Sequence, residues 1–214
     1  MIRASSVEES QPVREGFEGS AYYALMTQAL SEILQAKKLV TEREIEAFIA
    51  GLEAPQPEWG AHLVARAWID GKFKRRLLEN GRAAAAELGY TIKEAELVVV
   101  ENTPDIHNLI VCTLCSCYPR SLLGQPPWWY ISKAYRARAV REPRAVLKEF
   151  GLELPPHTSV RVHDSNADMR YLVLPMRPDN TGHLIEQELM ALVSRDAMIG
   201  TAAVGAISEV ARPG

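Results

Sequence analysis

Apolar residues at Tyr22, Leu25, Met26, Leu30, Ile33 and Leu34 recur every three or four positions, a spacing that predicts an amphipathic helix over residues 20–40. Thr41 followed by Glu44 has the form of a capping box, and it predicts a short helix through Ile45, Phe48 and Ile49. Gly51, Pro55 and Pro57 end that helix. A third helix is predicted around Leu63, Val64, Ala67 and Trp68, and a fourth over residues 72–88 with Gly89 as its stop. Helical periodicity therefore accounts for the first part of the chain.

The pattern changes at residues 97–101, where Leu97, Val98, Val99 and Val100 form a β-branched run. A second apolar strand, Leu109, Ile110 and Val111, runs directly into three cysteines. Gly124, Pro126 and Pro127 mark irregular chain, and two short helices are predicted over 130–140 and 143–150, the second opened by Pro143 and closed by Gly151. Val160 and Val162, then Tyr171 to Leu174, give two more strands, and a turn at residues 178–182 leads to a helix over 184–193. There is no internal repeat. The expected fold class is α+β: a helical N-terminal arm, residues 1–92, followed by an α+β domain, residues 93–214. An arm with apolar stripes and little core of its own is expected to pack on a partner subunit.

Lys and Arg number 24 against 27 Asp and Glu, a net charge of -3 that lacks the basic excess of a phosphate-backbone binder. No nucleic-acid partner is expected. Residues 1–19 are polar, without the apolar core of a signal peptide, and no run is long enough to span a membrane. A cytoplasmic location is the expectation, and there cysteine clusters more often mean metal or redox chemistry than structural disulfides.

All three cysteines lie in Cys112-Thr113-Leu114-Cys115-Ser116-Cys117. A tight loop can bring their sulfurs round one ion, and the spacing of the last pair lets the backbone nitrogens of Ser116 and Cys117 reach it too. Three sulfurs and two nitrogens leave one position of an octahedral ion open. Soft thiolates favour late or oxidised transition metals, and an open position permits Lewis-acid chemistry. Structural zinc normally takes four side chains, and the fourth is missing here. Two other readings stand beside this one: a Cys-x-x-Cys redox pair, which would want a helix N-terminus, and buried thiols that only pack. His107 is a possible further ligand, although a lone histidine near a strand is more often simply hydrogen-bonded.

The segment Val111 to Pro119 resembles the metal loop of the nitrile hydratase α subunit family. The resemblance extends through Asn102-Thr103-Pro104, His107-Asn108, Tyr135-Arg136-Ala137-Arg138, Arg141-Glu142-Pro143-Arg144, Asp164-Ser165, Arg170-Tyr171, Leu174-Pro175 and Arg177-Pro178 to Met198-Ile199-Gly200. It implies a four-layered α-β-β-α domain, a β-type partner subunit and an enzyme that hydrates a nitrile to the amide. A metallochaperone is a further implied partner. The implied metal ligands are Cys112, Cys115, Ser116 and Cys117. Threonine after the first cysteine goes with cobalt in the family and serine with iron, so Thr113 implies trivalent cobalt, one per chain. Cys115 and Cys117 are the implied catalytic residues, as sulfinic and sulfenic acids, with arginines of the β subunit on their oxygens. Arg170 looks like a family arginine near the loop.

One departure bears on substrate. Where many members place a tryptophan, three residues after the last cysteine, this chain has Arg120, as the related thiocyanate hydrolase γ subunit does. An arginine there would favour an anion, and Arg120 and Trp128 are the expected substrate-pocket residues; Trp128, Trp129 and Tyr130 could all line the pocket, although aromatics after a Pro-Pro turn are more often core or interface anchors. Hydrolysis of thiocyanate to carbonyl sulfide and ammonia is the alternative activity, and a non-catalytic metal or redox protein is the third reading.

Overall fold

The structure, a computed structural model, describes residues 21–93 and 96–205; the polar stretch 1–19 lies outside these residues. The helical part consists of α1 (Ala21–Ala36), α2 (Glu42–Glu53), α3 (Pro57–Ile69), α4 (Gly71–Glu79) and α5 (Gly81–Glu87). Then come β1 (Glu96–Glu101), β2 (Ile106–Val111), α6 (Arg120–Leu123), α7 (Trp128–Ile131), α8 (Lys133–Arg141) and α9 (Pro143–Glu149). The chain closes with β3 (Ser159–Asp164), β4 (Met169–Leu174), α10 (Glu186–Ala191) and α11 (Arg195–Ile199).

The capping box before α2 is formed on both sides, with the Glu44 N–H donating to the Thr41 hydroxyl at 3.2 Å and the Thr41 N–H to the Glu44 carboxylate at 2.8 Å. Two predicted helices are divided by small polar residues. Asn80 ends α4 and its side-chain oxygen accepts from the Ala83 N–H at 2.9 Å, so the expected helix over 72–88 is two helices. Ser132 likewise separates α7 from α8 by accepting from the Tyr135 N–H at 3.1 Å. Ser194 opens α11 after a shortened α10. At Asn80 and Ser132 a side chain that competes for backbone N–H groups starts a new helix inside a pattern that reads as continuous, and Ser194 starts one just beyond the end of the predicted helix.

The strands form two parallel pairs, β1 with β4 and β2 with β3. α4 and α5 pack on β1, β2 faces β4, and α8 and α9 lie on β2 and β3, which gives the order helix, sheet, sheet, helix. Leu109, Ile110 and Val111 of β2 and Leu172, Val173 and Leu174 of β4 are buried between the layers. Leu63 and Val64 of α3 and Phe73 and Leu77 of α4 join the same core, each worth about 1.5–3 kcal/mol of burial. Helices α3–α5 thus belong to the core with the strands. In contrast α1 leaves Tyr22, Leu25, Met26, Leu30 and Ile33 exposed, as α2 leaves Phe48 and Ile49. No described helix is long and apolar enough to cross a membrane.

A buried polar chain crosses the space between the sheets. The Asn102 side-chain oxygen Oδ1 accepts from the Asn108 N–H and Asn108 Nδ2, so Asn102 Nδ2 is left to face His107 Nδ1 at 3.3 Å. His107 must then carry its proton on Nε2, which donates to the Gly200 carbonyl at 2.7 Å. Gly200 has φ +93°, and a Cβ there would lie 2.0 Å from the Asn108 carbonyl oxygen, so only glycine fits.

Candidate metal centre

Parallel pairing sends β2 and β3 out at the same end of their sheet, with Val111 opposite Asp164 in the last register position. Cys112 follows directly and is fully buried, while Cys115 is exposed and Cys117 half-buried. The Cys112 and Cys115 sulfurs lie 3.6 Å apart and those of Cys115 and Cys117 3.3 Å apart. All three fall within 4.8 Å of one another and are the metal-capable cluster among the described residues. The Cys115 N–H donates to the Cys112 sulfur at 3.2 Å, which closes the first turn of the loop.

Side chains from three elements hold this loop. The Asp164 carboxylate at the end of β3 accepts from the Thr113 N–H at 2.9 Å and the Thr113 hydroxyl at 2.6 Å. From α8, Arg136 Nη1 donates to the carbonyls of Leu114 at 3.2 Å and Cys115 at 3.1 Å. From α7, the Tyr130 hydroxyl donates to the Cys117 carbonyl at 2.8 Å. The sequence places Asp164 and Arg136 only within the family resemblance and assigns none of the three residues to the hold on this loop. The one available signal was Asp164, an acidic residue closing an alternating strand; nothing local marks the other two.

The sulfurs are electrostatically unequal. Hydrogen bonds from Cys117, from the Ser116 N–H and from Cys112 draw the Cys115 thiol down to about 7. The Cys117 N–H also acts on the Cys115 sulfur, so both backbone nitrogens face the cluster. Burial pushes the Cys117 thiol up to about 12, with Cys115 adding to it and the Arg170 cation opposing it. Cys115 therefore gives up its proton first. Arg170 is tied to the Asn166 and Met169 carbonyls, and its buried Nε, like that of Arg136, has no hydrogen-bond partner among the described residues.

Three convergent sulfurs and two inward-facing backbone nitrogens fit a thiophilic transition metal. No histidine or carboxylate joins them among the described residues, which leaves a structural zinc site one side chain short. His107 starts at the opposite end of β2 and is hydrogen-bonded there to Gly200. The Cys112–Cys115 pair leaves a strand rather than opening a helix, since the next helix begins at Arg120. That is not the setting of a thioredoxin-type redox pair.

Arg120, exposed at the first position of α6, lines a cavity of about 640 Å3 with Phe48, Trp59 and Lys93 among its walls. Trp128 is half-buried against the core at the start of α7. Its neighbour Trp129 is buried edge-on to Tyr135 and Phe150, a packing role.

Residues 21–202 match the protein family described as nitrile hydratase, alpha chain. The low-molecular-weight cobalt-containing nitrile hydratase subunit alpha of Rhodococcus rhodochrous is 47% identical over 179 residues, covering 83% of this chain and 86% of that protein. The thiocyanate hydrolase subunit gamma of Thiobacillus thioparus is 38% identical over 192 residues, covering 84% and 79% respectively. Among solved structures, a double mutant of the Fe-type nitrile hydratase from Comamonas testosteroni matches with a TM-score of 0.83 and 40% identity, over 92% of this chain and 98% of that one.

Proposed function

The chain belongs to the nitrile hydratase α-chain family, and we propose that it is the metal-bearing α subunit of a cobalt nitrile hydratase, which adds water across a nitrile to give the amide. The observation that carries this reading is the convergence of the Cys112, Cys115 and Cys117 sulfurs within 4.8 Å in a chain matching the family over residues 21–202. Cobalt rather than iron is supported by Thr113 and by the cobalt-containing relative at 47% identity.

The three sulfurs and the nitrogens of Ser116 and Cys117 would hold the ion. Bound there, trivalent cobalt would supply an inert Lewis acid for the nitrile or water. Cys115 is the most exposed of the three sulfurs and the first to become a thiolate, which fits it for oxidation to the sulfinic acid. An external oxidant would take Cys117 only as far as the sulfenic acid, whose oxygen would either attack the nitrile carbon or take the proton of the attacking water. Tyr130 and Asp164 keep both ends of the loop in place while this happens. The exposed apolar stripes of α1 and α2 support a β-type partner subunit in a heteromer, to which these two helices, rather than the whole of residues 1–92, contribute as an arm. Loading by a metallochaperone and a cytoplasmic location complete the reading.

Arg120 favours a second activity, thiocyanate hydrolysis. A guanidinium three residues after Cys117 suits an anion better than a neutral nitrile, and the thiocyanate hydrolase relative is 38% identical. The test is the complex co-expressed with its partner, assayed for metal and for both substrates, as wild type and as Arg120→Trp. One cobalt per chain with nitrile turnover is expected, and stoichiometric zinc would end the cobalt reading. If Arg120 serves an anion, its loss should change the thiocyanate-to-nitrile ratio about tenfold to hundredfold, since a charge-assisted hydrogen bond is worth roughly 1.5–3 kcal/mol. An unaltered ratio removes the anion pocket. Cobalt retained without turnover of either substrate would leave a non-catalytic metal protein.

A further inference from the structure

We propose that Arg136 is a positioning residue that presets the Cys115–Ser116 peptide for the metal, using one guanidinium nitrogen to grip two successive carbonyls of the loop. The inference rests on the metal-site reading above and assigns a role to a residue outside the ligand set.

Among the described residues, no hydrogen bond between backbone groups joins any two of residues 112–117. Side chains must therefore supply the order, and Arg136 holds the middle of the loop. Its nitrogen lies 3.2 Å from the Leu114 carbonyl oxygen and 3.1 Å from that of Cys115. The base of the side chain is firm. Tyr135, the preceding residue, is fully buried and donates its hydroxyl to the Ile110 carbonyl at 2.6 Å. Arg138, two residues on, is buried and paired with Glu142 at 2.7 Å and Glu149 at 2.5 Å. Ser132 caps the same helix. Helix α8 is thus pinned on both sides of Arg136 and carries the guanidinium to a fixed place.

A peptide unit is planar and trans, so its carbonyl oxygen and its N–H point in opposite directions. When Arg136 holds the Cys115 oxygen toward α8, it turns the Ser116 nitrogen away from α8. That nitrogen lies in the loop between Cys115 and Cys117, whose sulfurs are 3.3 Å apart. The grip therefore aims a donor atom at the place where the sulfurs converge before any ion arrives. A charge argument runs the same way. A metal bonded through the Ser116 nitrogen would displace the amide proton to solvent and leave negative charge shared with the Cys115 oxygen, because the two atoms belong to one delocalised system. A permanent cation 3.1 Å from that oxygen offsets the charge, and arginine keeps its proton under all working conditions.

The test uses the co-expressed complex with Arg136→Met, which keeps length and removes donors and charge, and Arg136→Lys, which keeps the charge. Cobalt loss to a chelator is timed, and the sulfur-to-cobalt charge-transfer absorption and melting temperature are recorded. Arg136→Met is expected to lose cobalt about tenfold to hundredfold faster with a shifted absorption band, the scale seen when groups that orient metal ligands are removed. Arg136→Lys is expected to recover most of the retention and the band, while melting stays near wild type in both. Wild-type loss rate and band in Arg136→Met would overturn the proposal alone. So would faster loss that tracks a general fall in melting and is not rescued by lysine. Should Arg136→Met fail to assemble, Arg136→Gln keeps a donor without the charge, and an unchanged loss rate there overturns it equally. A wild-type complex holding no cobalt would bring down the functional reading and this inference together.

Discussion

Two buried tyrosine hydroxyls allow the local hold on the metal loop to be separated from general stability. Tyr130 donates to the Cys117 carbonyl at 2.8 Å, and Tyr135 to the Ile110 carbonyl at 2.6 Å. Their rings lie 5.7 Å apart in the same fully buried cluster, and burial holds both hydroxyls far above the ordinary tyrosine value, so each is a donor at any working pH. Replacing either by phenylalanine removes one hydrogen bond and leaves a carbonyl short of a donor, a loss of roughly 1–2 kcal/mol. At this chain length that is roughly 2–8 °C in melting temperature. The two variants should differ at the metal. Ile110 sits inside β2, where the parallel ladder holds its backbone, whereas Cys117 is in a loop without a ladder. Tyr130→Phe should therefore shed cobalt several-fold faster than wild type, and Tyr135→Phe at close to the wild-type rate. Melting curves and chelator-driven cobalt loss on the two complexes check this. Equal cobalt loss at equal destabilisation would refute a local role for Tyr130.

Gly200→Ala should lower stability by more than about 2 kcal/mol or abolish soluble protein, because its Cβ would lie 2.0 Å from the Asn108 carbonyl oxygen at a φ of +93°; soluble yield and melting measure it. His107 should make the fold acid-sensitive. Burial, opposed by the Gly200 hydrogen bond and helped by Arg144, holds it below its ordinary 6.5, so the unfolded chain takes up the proton first. The stability it confers is complete above 6.5 and is lost as pH falls through the depressed folded value. Melting followed from about pH 7.5 to about 5 should fall less steeply in His107→Gln than in wild type; parallel curves would contradict it.

The four strands and the first three helices were legible because their apolar spacing is regular over at least a strand's length. The breaks at Asn80 and Ser132 were not, because each capping residue sits where the surrounding pattern stays helical, and α11, five residues opened by Ser194, is too short to show a period. Helices α6 and α7, four residues each, are too short to show a period. The metal loop was legible because all its sulfurs fall within residues 112–117. Its supports were not, since Tyr130, Arg136 and Asp164 are brought to it by packing and register that no local spacing records. The extent of the core was also hidden: the pattern separates residues 1–92 from the rest, whereas Leu63, Phe73 and Leu77 pack with the strands.

Parallel pairing explains why the supports and the ligands meet. Strands β2 and β3 run the same way, so the residue leaving one, Cys112, and the residue ending the other, Asp164, arrive at one pole of the sheet. An antiparallel pair would have put them at opposite poles. The anchored side of the loop is then set within the chain: Cys112 is buried, and Asp164, Arg136 and Tyr130 hold the backbone on which the sulfurs sit. Choice of metal should follow from that side. Cys115 and Arg120 instead remain exposed, and so does the apolar stripe of α1. On the proposed reading a partner subunit covers exposed groups of this kind, and the choice of substrate is made where it does so. Substitutions at Arg136 and Tyr130 should therefore act on metal retention, whereas Arg120→Trp should act on the ratio of substrates with the metal still in place.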